Sequence, residues 1–170
     1  LREHLGLASE PLWLNQVHGV EVFRLQEMSP PGVPPTADAA MTRCVGQALT
    51  VMTADCLPVL FCDRAGSVIA TAHAGWRSLC FGVLENTLLS MQVAPADVLV
   101  WMGPAIGPDA FEVGEEVRQA FMQQDPAAIS AFKPAGQVGK WLADLWLLAR
   151  QRLNALGVTS IYGGGLCTYT

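Results

Sequence analysis

Two apolar runs separated by a short turn constrain the fold of this chain more than any other feature. The first is "PVLFCD" at residues 58–63, the second is "SVIATAHAG" at residues 67–75, and "RAG" lies between them. Apolar runs of about four to eight residues on either side of such a turn are typical of a β-hairpin. Strand and helix patterns are mixed along the rest of the chain, so we expect this hairpin to belong to a mixed sheet.

The composition and the remaining periodicity define the fold class. The 170 residues are 51% hydrophobic and only 15% charged, which favours one domain with a large core. We expect an α/β or α+β fold, with a mixed β-sheet core and flanking helices. Helices are predicted at 76–91, 112–124 and 141–157, the last ending at Gly157. Further strands are predicted on either side of Gly19 within 12–25, and at 48–54, 96–103 and 158–165; the proline-rich stretch 29–35 is predicted to be a loop.

Charge and cysteine usage exclude several classes of protein. A net charge of −5 argues against a nucleic-acid partner. No apolar run of about 18 residues and no signal-peptide pattern is visible, so we expect no membrane partner. Five irregularly spaced cysteines are better explained as reduced thiols than as a disulfide framework, which predicts a cytoplasmic location.

His18, Cys56 and His73 are the candidate metal ligands. Each lies beside a turn residue at the end of a predicted strand, where sites are commonly built. Two imidazoles and one thiolate would leave an open position on a catalytic zinc ion. The same residues could instead be structural, or form a cysteine–histidine nucleophile and base.

Three charged residues are also candidates, and two of them, Asp55 and Arg77, are close in the sequence to Cys56 and His73. Arg77 is predicted in the first turn of a helix, where it suits a phosphate or a carboxylate, although a surface arginine is the plainer explanation. Asp55 could orient a ligand or act as a general acid or base, or could simply end a strand. Asp38 has the same two interpretations.

The glycine-rich loops and the apolar helix contain three further candidates. Gly103, in "GPAIGP", would let backbone N–H groups approach a ligand, or would only form a turn. Cys167, in "GGGLCTYT", is either a nucleophile or a packed thiol. Asp144 is predicted inside an apolar helix, where a carboxylate must be paired or functional.

Taken together, these segments resemble one family. The motifs that carry the resemblance, from about residue 12 to 170, are "NQVHG", "ADAAMT", "LTVMTADCLPVLFCD", "TAHAGWR", "MGPAIGPDAFEVGEEV", "KWLADL" and "CTYT". They are similar to the YfiH-like family, also called the laccase-domain or polyphenol oxidase family. The combination is far more specific than any single motif.

The resemblance implies a mixed α/β fold and a single zinc ion held by His18, Cys56 and His73. Cu²⁺ is possible at the same site, since it often outcompetes Zn²⁺ at nitrogen and sulfur ligands. It implies phosphorolysis of adenosine, inosine or 5′-methylthioadenosine and deamination of adenosine, in the cytoplasm. Its partners would be purine nucleosides and phosphate. The residues expected to act in catalysis are Asp55, Arg77 and Cys167, and those expected to bind substrate are Gln16, Arg77 and Gly103.

We expect residues 1–170 to form a single domain of this type that lacks parts of both family termini. Family members have a longer segment before "QVHG" and continue past "CTY" with a "SYRRDG" stretch, whereas this chain stops at Thr170. The sequence leaves the oligomeric state open.

Other functions remain open at this stage. A thiol hydrolase or amidase would use Cys56 or Cys167 with a histidine base. A polyphenol oxidase would use a single copper, since three histidines cannot supply the several centres of a multicopper enzyme. A binding or redox-sensing module without catalysis is the third alternative.

Overall fold

The computed structural model describes residues 2–27 and 32–170. Its strands are β1 (Val22–Leu25), β2 (Ala39–Thr42), β3 (Leu57–Asp63), β4 (Ile69–Ala74), β5 (Val98–Met102), β6 (Glu112–Gly114), β7 (Phe132–Pro134), β8 (Lys140–Ala143) and β9 (Ser160–Gly163). Its α-helices are α1 (Arg2–Leu5), α2 (Trp76–Phe81), α3 (Val83–Met91), α4 (Glu115–Gln124) and α5 (Leu145–Ala155). Short 3₁₀ helices cover Pro95–Asp97 and Pro126–Ala131.

A six-stranded mixed sheet is the centre of the fold. The strand order is β1-β2-β4-β3-β5-β9. The outer pairs β1–β2 and β5–β9 are parallel, and the three central pairs are antiparallel. A second, antiparallel sheet has the order β6-β8-β7. Together with the helices, this confirms the predicted mixed α/β class.

The predicted hairpin is confirmed as β3 and β4. Its register runs from Leu57 opposite Ala74 to Cys62 opposite Ile69. Asp63 stabilises the turn, because its carboxylate accepts hydrogen bonds from the backbone and hydroxyl of Ser67 at 2.7 and 2.6 Å.

One face of the large sheet carries the main core. Alternate residues of the central strands pack against buried residues of α2, α3 and α5, including Leu79, Leu84 and Leu148. On the opposite face, a smaller core lies under the N-terminal segment and contains Leu12, Leu14 and Ala40.

The remainder of this opposite face is an apolar groove of about 490 Å³. Its half-exposed walls include Leu60, Trp101 and Tyr162. Within the described residues, this opposite face is covered only where the N-terminal segment lies over the smaller core. None of the described helices combines the length and apolar character needed to cross a membrane.

The strands predicted at 48–54 and before Gly19 are not formed. These two segments run beside each other but are joined by a single isolated bridge, between Leu12 and Leu49. Part of their pairing uses a side chain, since Met52 N–H donates to Oε1 of Gln16 at 2.7 Å. The predicted loop at 29–35 lies partly outside the described residues, and 32–35 contain no helix or strand.

The helices are shorter than the periodicity predicted. Gly82, at φ 105°, ends α2 and begins α3, so the helix expected at 76–91 is two helices. The helix expected at 112–124 begins only after β6.

The helix predicted at 141–157 is also shorter than expected. Strand β8 occupies its beginning, and Asp144 caps α5 by accepting a hydrogen bond from Leu147 N–H at 2.9 Å. Asp144 is therefore not a carboxylate on an apolar helix face, because capping uses its charge at the helix N-terminus. Gly157, at φ 91°, follows the helix as predicted.

Candidate metal centre

The strand directions bring all candidate residues except Asp144 to one edge of the large sheet, where its strands begin or end. Strands β1, β2 and β3 begin at this edge, whereas β4, β5 and β9 end there. The segments that enter or leave the sheet at this edge contain the residues singled out from the sequence: Gln16, His18, Asp38, Asp55, Cys56, His73, Arg77, Gly103 and Cys167.

The open end of the β3–β4 hairpin brings Cys56 next to His73. Leu57 lies opposite Ala74, so the residues just outside this pair, Cys56 and Gly75, face each other. A Cβ atom at Gly75 would lie 2.9 Å from Cys56 Sγ and 2.9 Å from Cδ2 of His18. Only glycine leaves room for both side chains at this point.

His18 reaches the same point through the turn before β1. Its φ is 59°, a left-handed conformation that is uncommon for a residue with a side chain. The turn is held by Asp38, whose carboxylate accepts hydrogen bonds from the N–H groups of Val17, His18 and Gly19 at 3.1, 2.9 and 2.6 Å.

Asp38 also holds His73. The backbone N–H of His73 donates to the carbonyl of Asp38 at 2.7 Å, and Nδ1 of His73 lies 2.9 Å from Oδ1 of Asp38. Asp38 is fully buried and His73 is 4% exposed. Burial opposes ionisation of Asp38, but the hydrogen bonds from His73 and the three backbone N–H groups outweigh it and keep the pKa below its usual value.

The three candidate ligands converge. The ligand atoms of His18, Cys56 and His73 lie within 4.8 Å of one another, and Nε2 of His18 is 3.7 Å from Cys56 Sγ. Two ligand atoms on a tetrahedral metal with bonds of about 2.0–2.3 Å lie roughly 3.3–3.7 Å apart. Since Asp38 occupies Nδ1 of His73, Nε2 is the nitrogen left for a metal. The donor set and the spacing of His18 and Cys56 therefore fit a metal ion, and His73 lies within reach of the same point.

The charge around Cys56 bears on its role. Burial, followed by the negative charges of Asp55 and Asp38, raises the pKa of the Cys56 thiol. A cysteine nucleophile instead needs a lowered pKa. A cation at this point would reverse the electrostatics, because a coordinated thiol loses its proton.

Asp55 and Cys167 belong to a second cluster at the same edge. Oδ1 of Asp55 accepts a hydrogen bond from the Thr168 hydroxyl at 2.7 Å. Cys167 Sγ accepts hydrogen bonds from the N–H groups of Gly107 at 3.2 Å and Tyr169 at 3.4 Å. The hydroxyl of Thr170, with these N–H groups, lowers the pKa of Cys167 to about 7.

The remaining candidates have local contacts of their own. The guanidinium of Arg77, an exposed residue of the first turn of α2, lies 4.4 Å from the ring centre of Trp76. The amide of Gln16 bonds both backbone groups of Met52, at 2.7 and 2.8 Å. Gly103 contacts Pro58 so closely that a Cβ atom there would lie 2.7 Å from its ring.

Sequence reasoning did not find the double role of Asp38 or the reason for Gly75. From the sequence, Asp38 is a residue that ends a strand, orients a ligand or acts as a general acid or base, and Gly75 is the turn residue that follows the strand containing His73. No local pattern marks either role, because both depend on residues that are distant in the chain.

The protein therefore has a mixed α/β fold with a candidate metal centre at one edge of its large sheet. The chain belongs to the family described as multi-copper polyphenol oxidoreductase laccase, which it matches over residues 1–170. This agrees with the resemblance seen in the motifs.

Curated relatives share about half of its residues. The Escherichia coli protein "Purine nucleoside phosphorylase YfiH" is 54% identical over 165 residues, covering 97% of this chain and 66% of that protein. A protein of the same type from Pseudomonas aeruginosa is 54% identical over 164 residues, covering 96% of this chain and 66% of the relative. The chain thus spans 66% of the length of these relatives.

A solved structure has the same fold. The crystal structure of Neisseria meningitidis protein NMB0706 superimposes with a TM-score of 0.89 at 48% identity, covering 98% of this chain and 67% of that one.

Proposed function

We propose that this chain carries the metal centre of a zinc-dependent purine nucleoside phosphorylase that also deaminates adenosine, in the cytoplasm. The observation that carries the proposal is the convergence of His18, Cys56 and His73. The names of the relatives at 54% identity supply the substrate class. The substrates would be adenosine, inosine and 5′-methylthioadenosine.

His18, Cys56 and His73 are the residues that would hold the ion. A zinc ion with one open position acts as a Lewis acid and brings the pKa of a bound water to about 7. Cu²⁺ competes for such donors, and a His₂Cys set also occurs in blue-copper proteins, so the test below measures both metals.

Arg77 would bind the phosphate. Among the described residues it forms no ion pair, and its exposed guanidinium can present two parallel N–H donors to a phosphate. In phosphorolysis a phosphate oxygen forms a bond to C1′ of the ribose. The bond between C1′ and the purine nitrogen breaks, and the purine leaves with a proton.

Asp55 would exchange protons with the substrate. It is exposed, adjacent to Cys56, and the Thr168 hydroxyl fixes only one of its oxygens. In deamination, water adds to C6 of adenine and ammonia leaves, so a group must accept and return protons. Gln16 and Gly103 would position the nucleoside, and Cys167 would contribute a polarisable or ionised sulfur at the same edge.

The alternative of a thiol hydrolase has less support. The raised pKa of Cys56 disfavours it as a nucleophile, and no histidine in the described residues bonds to Cys167. The alternative of a copper oxidase is tested by measuring which metal the purified protein contains.

The first test is the metal content of the purified chain by mass spectrometry. We expect about one zinc per chain in the wild type and a trace in Cys56→Ala, whereas Cys44→Ala, outside the ligand group, keeps its metal. Neither zinc nor copper in the wild type would contradict the metal centre, and copper in place of zinc would favour the oxidase.

The second test is turnover. Each nucleoside is incubated with the metal-loaded chain, with and without phosphate, and the products are separated by chromatography. We expect free base only with phosphate, and inosine from adenosine in both cases. Arg77→Ala should raise the KM for phosphate, while Arg64→Ala, at the other end of β3, should not. A loaded chain that forms neither product contradicts the proposal.

A further inference from the structure

We propose that Asp38 is the positioning residue of the metal centre, because its single buried carboxylate holds the His18 turn and the His73 ring at the same time. The inference rests on the metal centre of the proposed function. It concerns a residue that binds neither metal nor substrate itself and acts through two ligands.

Four donors surround the two carboxylate oxygens. The backbone N–H of His18 and Nδ1 of His73 face Oδ1, and the N–H groups of Val17 and Gly19 face Oδ2. Full burial removes water as a competing partner. The carboxylate therefore has no freedom to turn toward one histidine without losing the other.

The contact with His73 selects a tautomer. A carboxylate only accepts hydrogen bonds, so the proton of a neutral His73 must be on Nδ1. This leaves the lone pair on Nε2, which is the form a metal ligand needs. The rings of His73 and His18 lie 4.8 Å apart, edge to face, so a shift of either ring changes the ligand spacing.

The contact with the turn selects a backbone conformation. His18 has φ 59°, and in this turn three consecutive N–H groups converge on Asp38. Without the acceptor, an extended backbone is favoured for His18. Its imidazole would then no longer face Cys56.

Asp38→Asn is the informative variant. It keeps the shape of the side chain but replaces one acceptor by an NH₂ donor. If the amide nitrogen takes the place of Oδ2, its N–H donors face the backbone N–H groups of Val17 and Gly19, which then have no acceptor. With the nitrogen at Oδ1, the amide opposes the His18 N–H and donates to Nδ1 of His73. The His73 proton is then on Nε2, and that nitrogen is no longer free for a metal.

Asp63→Asn is the matched control. Asp63 is also a buried carboxylate, and it accepts hydrogen bonds from the backbone N–H groups of Ser67 and Val68 at 2.7 and 3.1 Å. Asp63 is the last residue of β3, whereas the candidate metal centre lies at the start of this strand, and Asp63 contacts none of the histidines. A general loss of stability would therefore appear in both variants, but a loss of ligand positioning only in Asp38→Asn.

The experiment combines a metal titration with a measurement on the metal-free protein. Zn²⁺ affinity is determined by competition with a chromophoric chelator, and Co²⁺ is used as a spectroscopic probe. We expect Asp38→Asn to lose about 10–100-fold in Zn²⁺ affinity and to change the Co²⁺–thiolate absorption. Asp63→Asn should keep both while unfolding at a lower temperature. Wild-type affinity and spectrum in Asp38→Asn would overturn the proposal.

The metal-free measurement is the ¹⁵N NMR spectrum of the three imidazoles. We expect the wild type to carry the His73 proton on Nδ1, and a proton on Nε2 would overturn the proposal even if Asp38→Asn does not fold. A wild type with the expected tautomer that binds no metal would refute the metal centre of the proposed function. It would still support the positioning of His73 by Asp38.

Discussion

Asp38 and His73 contact each other through both their backbones and their side chains, at 2.7 and 2.9 Å. The backbone bond lies next to the pairing of Ala39 with Ala72, where β2 meets β4. The same pair of residues thus contributes both to the pairing of β2 with β4 and to the orientation of the His73 ring. The geometry of the candidate centre therefore depends on the correct pairing of central strands.

Gly75→Ala should weaken metal binding without unfolding the protein. The φ of Gly75 is −58°, so alanine meets no backbone strain, but its Cβ would overlap Cys56 Sγ and the His18 ring. We expect the Zn²⁺ affinity to fall by about tenfold or more, because substitutions of residues that hold metal ligands commonly weaken metal binding by this factor. Competition titration measures it. Gly32→Ala, with no atom near the added Cβ, is the control; equal affinities in both variants would refute this packing explanation.

Cys167 should be alkylated faster than the buried thiol of Cys80. Hydrogen bonds lower the pKa of Cys167 to about 7, whereas burial raises that of Cys80. The thiolate is the reactive form, so the rate at Cys167 should rise through about pH 7 and then level off. Iodoacetamide labelling followed by peptide mapping measures both sites. Equal rates at neutral pH would contradict the lowered pKa.

Two adjacent leucines of α3 should differ strongly in their contribution to stability. Leu88 is 4% exposed and belongs to the main core, whereas Leu89 is 72% exposed. Leu88→Ala should lower the free energy of unfolding by about 2–5 kcal/mol. Leu89→Ala should change it by less than about 0.5 kcal/mol, since the substitution is on the surface and alanine favours a helix. Urea unfolding measures both, and similar losses would show that Leu89 is covered.

Asp63 should stabilise the hairpin at neutral pH and lose this effect in acid. The Ser67 hydroxyl and neighbouring N–H groups, outweighing burial, hold the pKa of Asp63 below its ordinary value of 3.8. A lowered pKa means that the contribution is complete above pH 3.8 and disappears as the pH falls below it. Wild type and Asp63→Asn should therefore differ in urea midpoint at neutral pH and converge in acid. A difference that is constant down to about pH 2 would contradict this.

Part of the fold could be predicted because it is local. The β3–β4 hairpin and the stop at Gly157 each depend on a few consecutive residues, and both were predicted. Errors arose where periodicity continued across a boundary. Residues 141–143 fit the helical pattern of α5, but pairing with β6 and β7 makes them a strand. Tertiary hydrogen bonds override local propensity in such segments.

For the candidate site, too, one part can be predicted from the sequence and another part cannot. The sequence by itself determined which donor types are present, because three histidines and the motifs around His18, Cys56 and His73 can be read directly. Apart from the family resemblance, it did not determine that these side chains meet, or that Asp38 and Gly75 lie against them. Only the tertiary structure decided this, because strand order and direction bring the starts of β1, β2 and β3 and the end of β4 to one edge. Contacts between residues so distant in the chain follow from the pairing of whole strands, which no short segment encodes.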